Sequence, residues 1–99
     1  MKKGLLLMAA LGLPPVAFGV EPPPKEAMCR ACHGVGGAAP IAPGYPKLNG
    51  QDKGYLVSSL KAYRAGERKG GMAMVMMSQA TGLSDDDIEA LSAYYAAQK

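Results

Sequence analysis

Five consecutive residues, Cys29-Arg30-Ala31-Cys32-His33, restrict this chain more than any other stretch, because they hold both of its cysteines and its only histidine. Two thiols three residues apart, with an imidazole directly behind them, form the pattern C-x-x-C-H, the attachment signature of c-type haem. The spacing has a mechanical basis. On a helical turn both sulfurs reach the two vinyl groups of one porphyrin and become thioethers, and His33 is then held beneath the iron as an axial ligand. Other uses of the same residues fit less well. A disulfide across two intervening residues closes a tiny loop and leaves the small core unexplained. A thioredoxin-type pair wants a βαβ setting, and no convincing strand is legible here. A zinc site wants four ligands, and two Cys with one His give three.

The core inventory points the same way. Ninety-nine residues leave room for one small domain, with no Trp, one Phe (Phe18), five Tyr and seven Met. Leu48, Leu56, Val57, Leu60, Leu83, Ile88 and Leu91, with methionines and tyrosine rings, make a thin core. Chains of this size commonly need a staple or a cofactor to fold. A porphyrin would supply the large flat apolar body that aromatic side chains do not.

Residues 1–19 read as a secretory signal. Lys2 and Lys3 form the basic n-region, residues 4–13 the apolar stretch, and Ala17-Phe18-Gly19 the small-residue cleavage site. Cleavage after Gly19 leaves residues 20–99 as one 80-residue domain, with nine basic against eight acidic side chains. A chain so near neutrality, with no basic run interleaved with aromatics, carries no nucleic-acid footprint. An uncleaved anchor is the alternative. However, the uncharged run 4–20 sits at the short limit for a membrane span, and Pro14-Pro15 interrupts it. No membrane span is expected in the mature chain. Export to the periplasm would place both cysteines in an oxidising compartment, where thiols persist only if something captures them.

The remaining pattern is helical. Residues 25–32 can form two turns ended by Gly34. Residues 34–50, interrupted by Gly36-Gly37, Pro40, Pro43-Gly44 and Pro46, read as an ordered loop. Asp52 caps a second helix through Ala65, with Leu56, Leu60 and Tyr63 on one face and Gly66 closing it. Residues 70–77 read as a glycine- and methionine-rich connection passing into a short helical turn before Gly82. Ser84 caps a last helix whose first turn holds Asp85, Asp86 and Asp87, where negative charge meets the positive helix end. Ile88, Leu91 and Tyr94 or Tyr95 form its buried stripe. The class is all-α.

With His33 on one side of an iron, no second histidine remains for the other. Met72, Met74, Met76 and Met77 crowd into six residues. A thioether favours ferrous iron and raises the reduction potential. Each methionine alone reads as gap-filling core; as a group behind C-x-x-C-H, one of them is a ligand.

At this point the chain resembles the small class I c-type cytochromes of bacteria, and in particular one half of their periplasmic dihaem relatives. The resemblance rests on Cys29-Arg30-Ala31-Cys32-His33-Gly34, Pro43-Gly44-Tyr45-Pro46-Lys47-Leu48-Asn49-Gly50-Gln51 and Tyr55-Leu56. It continues through residues 60–68, the methionine segment, residues 83–88 and residues 93–96. It implies a cytochrome c-like fold of three to four short helices around one covalent haem c with an exposed edge. It also implies a carrier of single electrons between redox protein partners rather than an enzyme. The family's spacing back from the Ser84 cap places the ligand at Met76, with Met74 next and Met72 and Met77 behind. The resemblance further implies that a carbonyl of the proline-rich loop, that of Pro43, accepts the His33 Nδ1 proton.

Other readings are a cytochrome subunit of a larger dehydrogenase or oxidase, or a haem peroxidase or gas sensor with a labile Met ligand. Lys61, Arg64, Arg68 and Lys69 could neutralise haem propionates, dock an acidic partner, or form a solvated face. Tyr45 and Tyr55 are expected near the haem. Only nine residues of the mature chain, 20–28, precede Cys29, where the family has a longer first helix. Its contact with the last helix should therefore shrink to Ala27 and Met28 against Tyr94 or Tyr95.

Overall fold

The computed structural model describes residues 21–99; the expected signal segment 1–19 lies outside them. Four helices follow in order: α1 (Glu26–His33), α2 (Lys53–Arg64), α3 (Ala73–Ala80) and α4 (Asp85–Ala96), with a short 3-10 turn at Val35–Gly37 behind α1. Among the described residues there is no strand, and no helix is long and apolar enough to cross a membrane.

The helix starts follow from local chemistry. Asp52 accepts the Tyr55 N–H at 2.9 Å and opens α2. Ser84 Oγ accepts the Asp87 N–H at 3.0 Å while Asp87 Oδ2 accepts the Ser84 N–H at 2.9 Å, a reciprocal capping box that opens α4. Gly66 ends α2 at φ 72°. The methionine segment differs from the sequence expectation. Gly70 and Gly71 take positive φ, 89° and 48°, and Met72 is the N-cap. From Ala73 two full helical turns follow, because Met and Ala are strong helix formers once the glycines are passed.

α2 packs against both α3 and α4. The buried core is Leu56 of α2, Ala80 of α3, Leu83, and Ile88, Leu91, Tyr94 and Tyr95 of α4. Fully burying an aliphatic side chain of this size is worth about 1.5–3 kcal/mol. Leu48, Val57, Leu60 and Tyr63 are half-buried against this cluster, so the core is as thin as the composition implies. Both tyrosines of the last helix belong to it, edge to face with ring centroids 5.1 Å apart.

α1 is fastened differently from expectation. Ala27 and Met28 are exposed. The contact with α4 runs instead through Glu26, 1% exposed, whose Oε2 accepts the Tyr95 hydroxyl at 2.7 Å. Lys25 adds an ion pair to Asp87 at 2.9 Å and a hydrogen bond to the Gly82 carbonyl at 3.0 Å. A helix this short has too little apolar face to bury, and polar side chains do the fastening. Burial and the Glu26 hydrogen bond push the Tyr95 phenol well above its ordinary range, so it stays a donor.

One glycine is required here. Gly37, at φ 72°, accepts the Leu48 N–H through its carbonyl at 2.9 Å. A Cβ there would stand 2.7 Å from Leu48 Cβ and 3.0 Å from Tyr95 Cδ1. Gly50 N–H in turn reaches the Tyr95 carbonyl at 2.9 Å. The 3-10 turn, the loop around residue 48 and the end of α4 are thereby tied at one point, behind the histidine.

The α4 capping box also sets an acid limit. Hydrogen bonds from the Ser84 backbone, and then from Lys25, hold the Asp87 carboxyl below the usual carboxylate range. A carboxyl depressed in the folded state contributes its stabilisation above the unfolded value of about 3.9 and loses it as pH falls through the folded value. Between about pH 5 and pH 2, the urea midpoint of the wild type should therefore fall further than that of Asp87→Asn. Equal pH slopes for the two proteins would refute this.

Candidate functional site

α1, the loop 44–51, α2 and α3 enclose a cleft of about 400 Å³. Cys29, Cys32 and His33 border it from α1, Leu56, Leu60 and Tyr63 from α2, and Met76 from α3. Leu91, Ser92 and Tyr95 of α4 form its back wall. The size falls within the range of small-molecule and cofactor pockets, and the apolar wall with a few polar groups is their usual make-up.

His33 is the most constrained of these residues. It is 6% exposed, and its Nδ1 lies 2.7 Å from the Pro46 carbonyl oxygen. A carbonyl can only accept, so Nδ1 donates to it and Nε2 is the nitrogen left for a metal, the arrangement of a metal-binding imidazole with an oriented ring. The acceptor is thus Pro46 and not Pro43. The loop is anchored from its far end by Leu48 N–H on Gly37, and that anchor brings the carbonyl of residue 46 under the ring. Tyr45 stands beside the imidazole at 6.3 Å between centroids, tilted by 50°. Gly34, at φ 86°, lets the chain turn away behind His33, where a Cβ would collide with the backbone of Ala39.

The two cysteines sit one helical turn apart at the cleft edge. Burial, and after it the Glu26 carboxylate, push the Cys29 thiol up to about 11. A thiol so far above neutrality is unlike the activated cysteine of a redox-exchange pair, whose value is lowered.

The helical period sorts the methionines. Met72, Val75, Met76 and Gln79 border the cleft, at the spacing i, i+3, i+4, i+7 of a single helix face. Met74, 59% exposed, is not among the lining residues, and Met77 lies on the side facing Gly66. Met76 is half-buried at the wall, while Met72 is 47% exposed. The second candidate in the structure is therefore Met72 rather than Met74.

Of the four basic residues singled out in the sequence, Arg64 is committed elsewhere. It donates to the Leu83 carbonyl at 3.1 Å and to Asp85 at 2.7 Å, and this pairing holds the Asp85 carboxyl below its ordinary range. Arg68 and Lys69 border the cleft together with Lys47, and Lys61 does not. Tyr45 and Tyr55 both border it, as expected.

Two side chains went unnoticed in the sequence. Glu26 and Ser92 are each 1% exposed; Ser92 stands one turn after Ile88 on the buried stripe of α4, a position the helical period marks, whereas the partner that buries Glu26 is remote in sequence. Ser92 Oγ lies in the back wall of the cleft with no protein partner among the described residues. An apolar cleft bordered by two thiols, a pre-oriented imidazole and a thioether, with cations on its rim, fits a porphyrin with an iron centre and carboxylate substituents.

Fold and site together define a c-type haem protein. The chain matches the profile described as Cytochrome c over residues 26–97. It is 53% identical over 75 residues to cytochrome c-554(548) of Halomonas halodenitrificans, covering 76% of this chain and 89% of that protein. It is 40% identical over 77 residues to a thiosulfate dehydrogenase electron acceptor of Thiomonas intermedia, covering 78% of this chain and 34% of that one. The crystal structure of reduced recombinant cytochrome c4 from Pseudomonas stutzeri aligns with a TM-score of 0.65 at 37% identity, over 72% of this chain and 38% of that one. The chain belongs to the cytochrome c family. It is a small class I cytochrome resembling one half of cytochrome c4, carries one covalently bound haem c, and is an electron-transfer protein rather than an enzyme. It spans most of the c-554(548) relative but little more than a third of the other two.

Proposed function

We propose that this protein is a periplasmic single-electron carrier whose haem, bound at Cys29 and Cys32, is ligated by His33 and Met76. Bound there, the haem supplies a one-electron iron couple. The polypeptide supplies everything else. The Pro46 carbonyl orients His33 and strengthens it as a donor by holding its Nδ1 proton. Met76 presents a soft sulfur from the facing helix, which favours the reduced state. The apolar wall keeps water off both. The observation that carries this reading is the cleft itself, which has His33 on one bordering helix and Met76 on another. Export and cleavage after Gly19 rest on the pattern of residues 1–19.

With His33 and Met76 both holding the iron, a carrier of this kind would have no place for an exogenous ligand. Mixed with carbon monoxide at neutral pH, the reduced protein should keep its absorption spectrum on the timescale of mixing. Rapid formation of a carbonyl spectrum would make it a gas-binding or peroxidase-type haem protein instead. A second reading, an acceptor subunit of a dehydrogenase, is favoured by the Thiomonas relative, a thiosulfate dehydrogenase electron acceptor. Purification as a lone chain or with a larger redox protein separates the two.

A further inference from the structure

Three cationic side chains border the cleft, Lys47, Arg68 and Lys69, and no carboxylate does. Glu26, Asp85, Asp87 and Glu89 are each paired with a basic residue away from the rim. The cleft is therefore bordered by charge of one sign, matched to a ligand that brings its own anions. A haem does so, since its thioether-forming groups lie on one half of the macrocycle and its two propionates on the other.

Of the three cations, Arg68 is the one held in place. Its guanidinium carbon lies 4.2 Å from the centroid of the Tyr63 ring, and that ring is half-buried against the core and borders the same cleft. A guanidinium laid on an aromatic face keeps its N–H edges free in the plane, and its planar fork can grip a carboxylate with two parallel hydrogen bonds. Among the described residues Arg68 enters no ion pair. The glycines on either side, Gly66 and Gly70, both take positive φ, so Arg68 lies in a short non-helical link between α2 and α3.

We propose that Arg68, pre-positioned on the Tyr63 ring, clamps a haem propionate, and that this contact seats the haem and raises its reduction potential. The inference rests on the haem reading above. It narrows four basic residues to one and gives Tyr63 the part of a positioning residue. The sign of the electrostatic effect is fixed. A positive charge near the iron, in a cleft of low polarity, disfavours the ferric state more than the ferrous one.

The test compares holoprotein variants by reduction potential and by the propionate-bending band in the resonance Raman spectrum. Their visible spectra show separately whether haem is attached and six-coordinate. Arg68→Gln should shift the band and lower the potential. Arg68→Lys should shift the band while keeping most of the potential, since an ammonium retains charge but not the fork. Tyr63→Phe should match wild type, and Tyr63→Leu should move part of the way toward Arg68→Gln. Lys61→Gln, which removes a charge outside the cleft, should change neither readout. The proposal is overturned if Arg68→Gln leaves both unchanged in a protein with a normal visible spectrum. It is equally overturned if Lys47→Gln, rather than Arg68→Gln, produces the band shift. A wild-type protein without attached haem would overturn the underlying haem reading instead.

Discussion

Met76→Ala is expected to abolish the sulfur-to-ferric-iron charge-transfer band, lower the reduction potential, and let the reduced protein take up carbon monoxide. Met74→Ala should leave all three as in wild type. The difference comes from helix geometry. Met76 and Met72 share the face of α3 that borders the cleft, one turn apart, whereas Met74 points off that face and is 59% exposed. Losing the thioether removes a donor that prefers ferrous iron, so the ferric state gains and the potential drops. The informative third variant is Met72→Ala. Because Met72 sits at the cap of α3 and is half in solvent, its loss should leave the band intact. A band lost in Met72→Ala and kept in Met76→Ala would move the ligand one turn toward the N-terminus.

The second large effect concerns folding itself. A chain in which Cys29→Ser and Cys32→Ser prevent covalent attachment is expected to show little helix by far-ultraviolet circular dichroism and no cooperative thermal transition. The structure shows why. Among the described residues seven apolar side chains are buried, and a cleft of about 400 Å³ separates α1 from α3. Leu48, Leu60 and Tyr63 are only half covered. A single hydrophobic core in a domain of this size rarely supplies more than about 3–5 kcal/mol, and here much of the available apolar surface faces the cleft. The serine side chains themselves cost little, since both positions are only partly buried. A cooperative transition with near-native helix in the haem-free variant would show that the polypeptide folds unaided.

What the sequence revealed and what it hid divide along the range of the interactions. Asp52 and Ser84 announced the starts of α2 and α4 because a cap is settled within three residues. Cys29, Cys32 and His33 were legible as a unit because they are contiguous. α3 was not, because two glycines and four methionines obscured a helical period that emerges once the segment is read from Ala73. The family resemblance implies the Pro43 carbonyl under His33, whereas the structure has that of Pro46. All backbone carbonyls are alike in chemistry, and the choice depends on how Leu48 is tied to Gly37. Glu26 is an acidic residue in the first turn of a short helix. Its burial depends on Tyr95, 69 positions away, and nothing local signals such a partner.

The cleft has one more consequence, for the topology of the chain. Were His33 and Met76 to hold one iron, as proposed, the metal would link two points 43 residues apart in sequence, as a disulfide would. Closing a loop of that length restricts an unfolded chain by roughly 4 kcal/mol in the chain-entropy picture. An unfolding molecule must either keep that tether and its lost freedom or break the iron–sulfur bond, and both routes raise the free energy of the unfolded chain. A polypeptide with two cysteines and no disulfide would thus gain a cross-link of the kind on which small exported domains commonly depend.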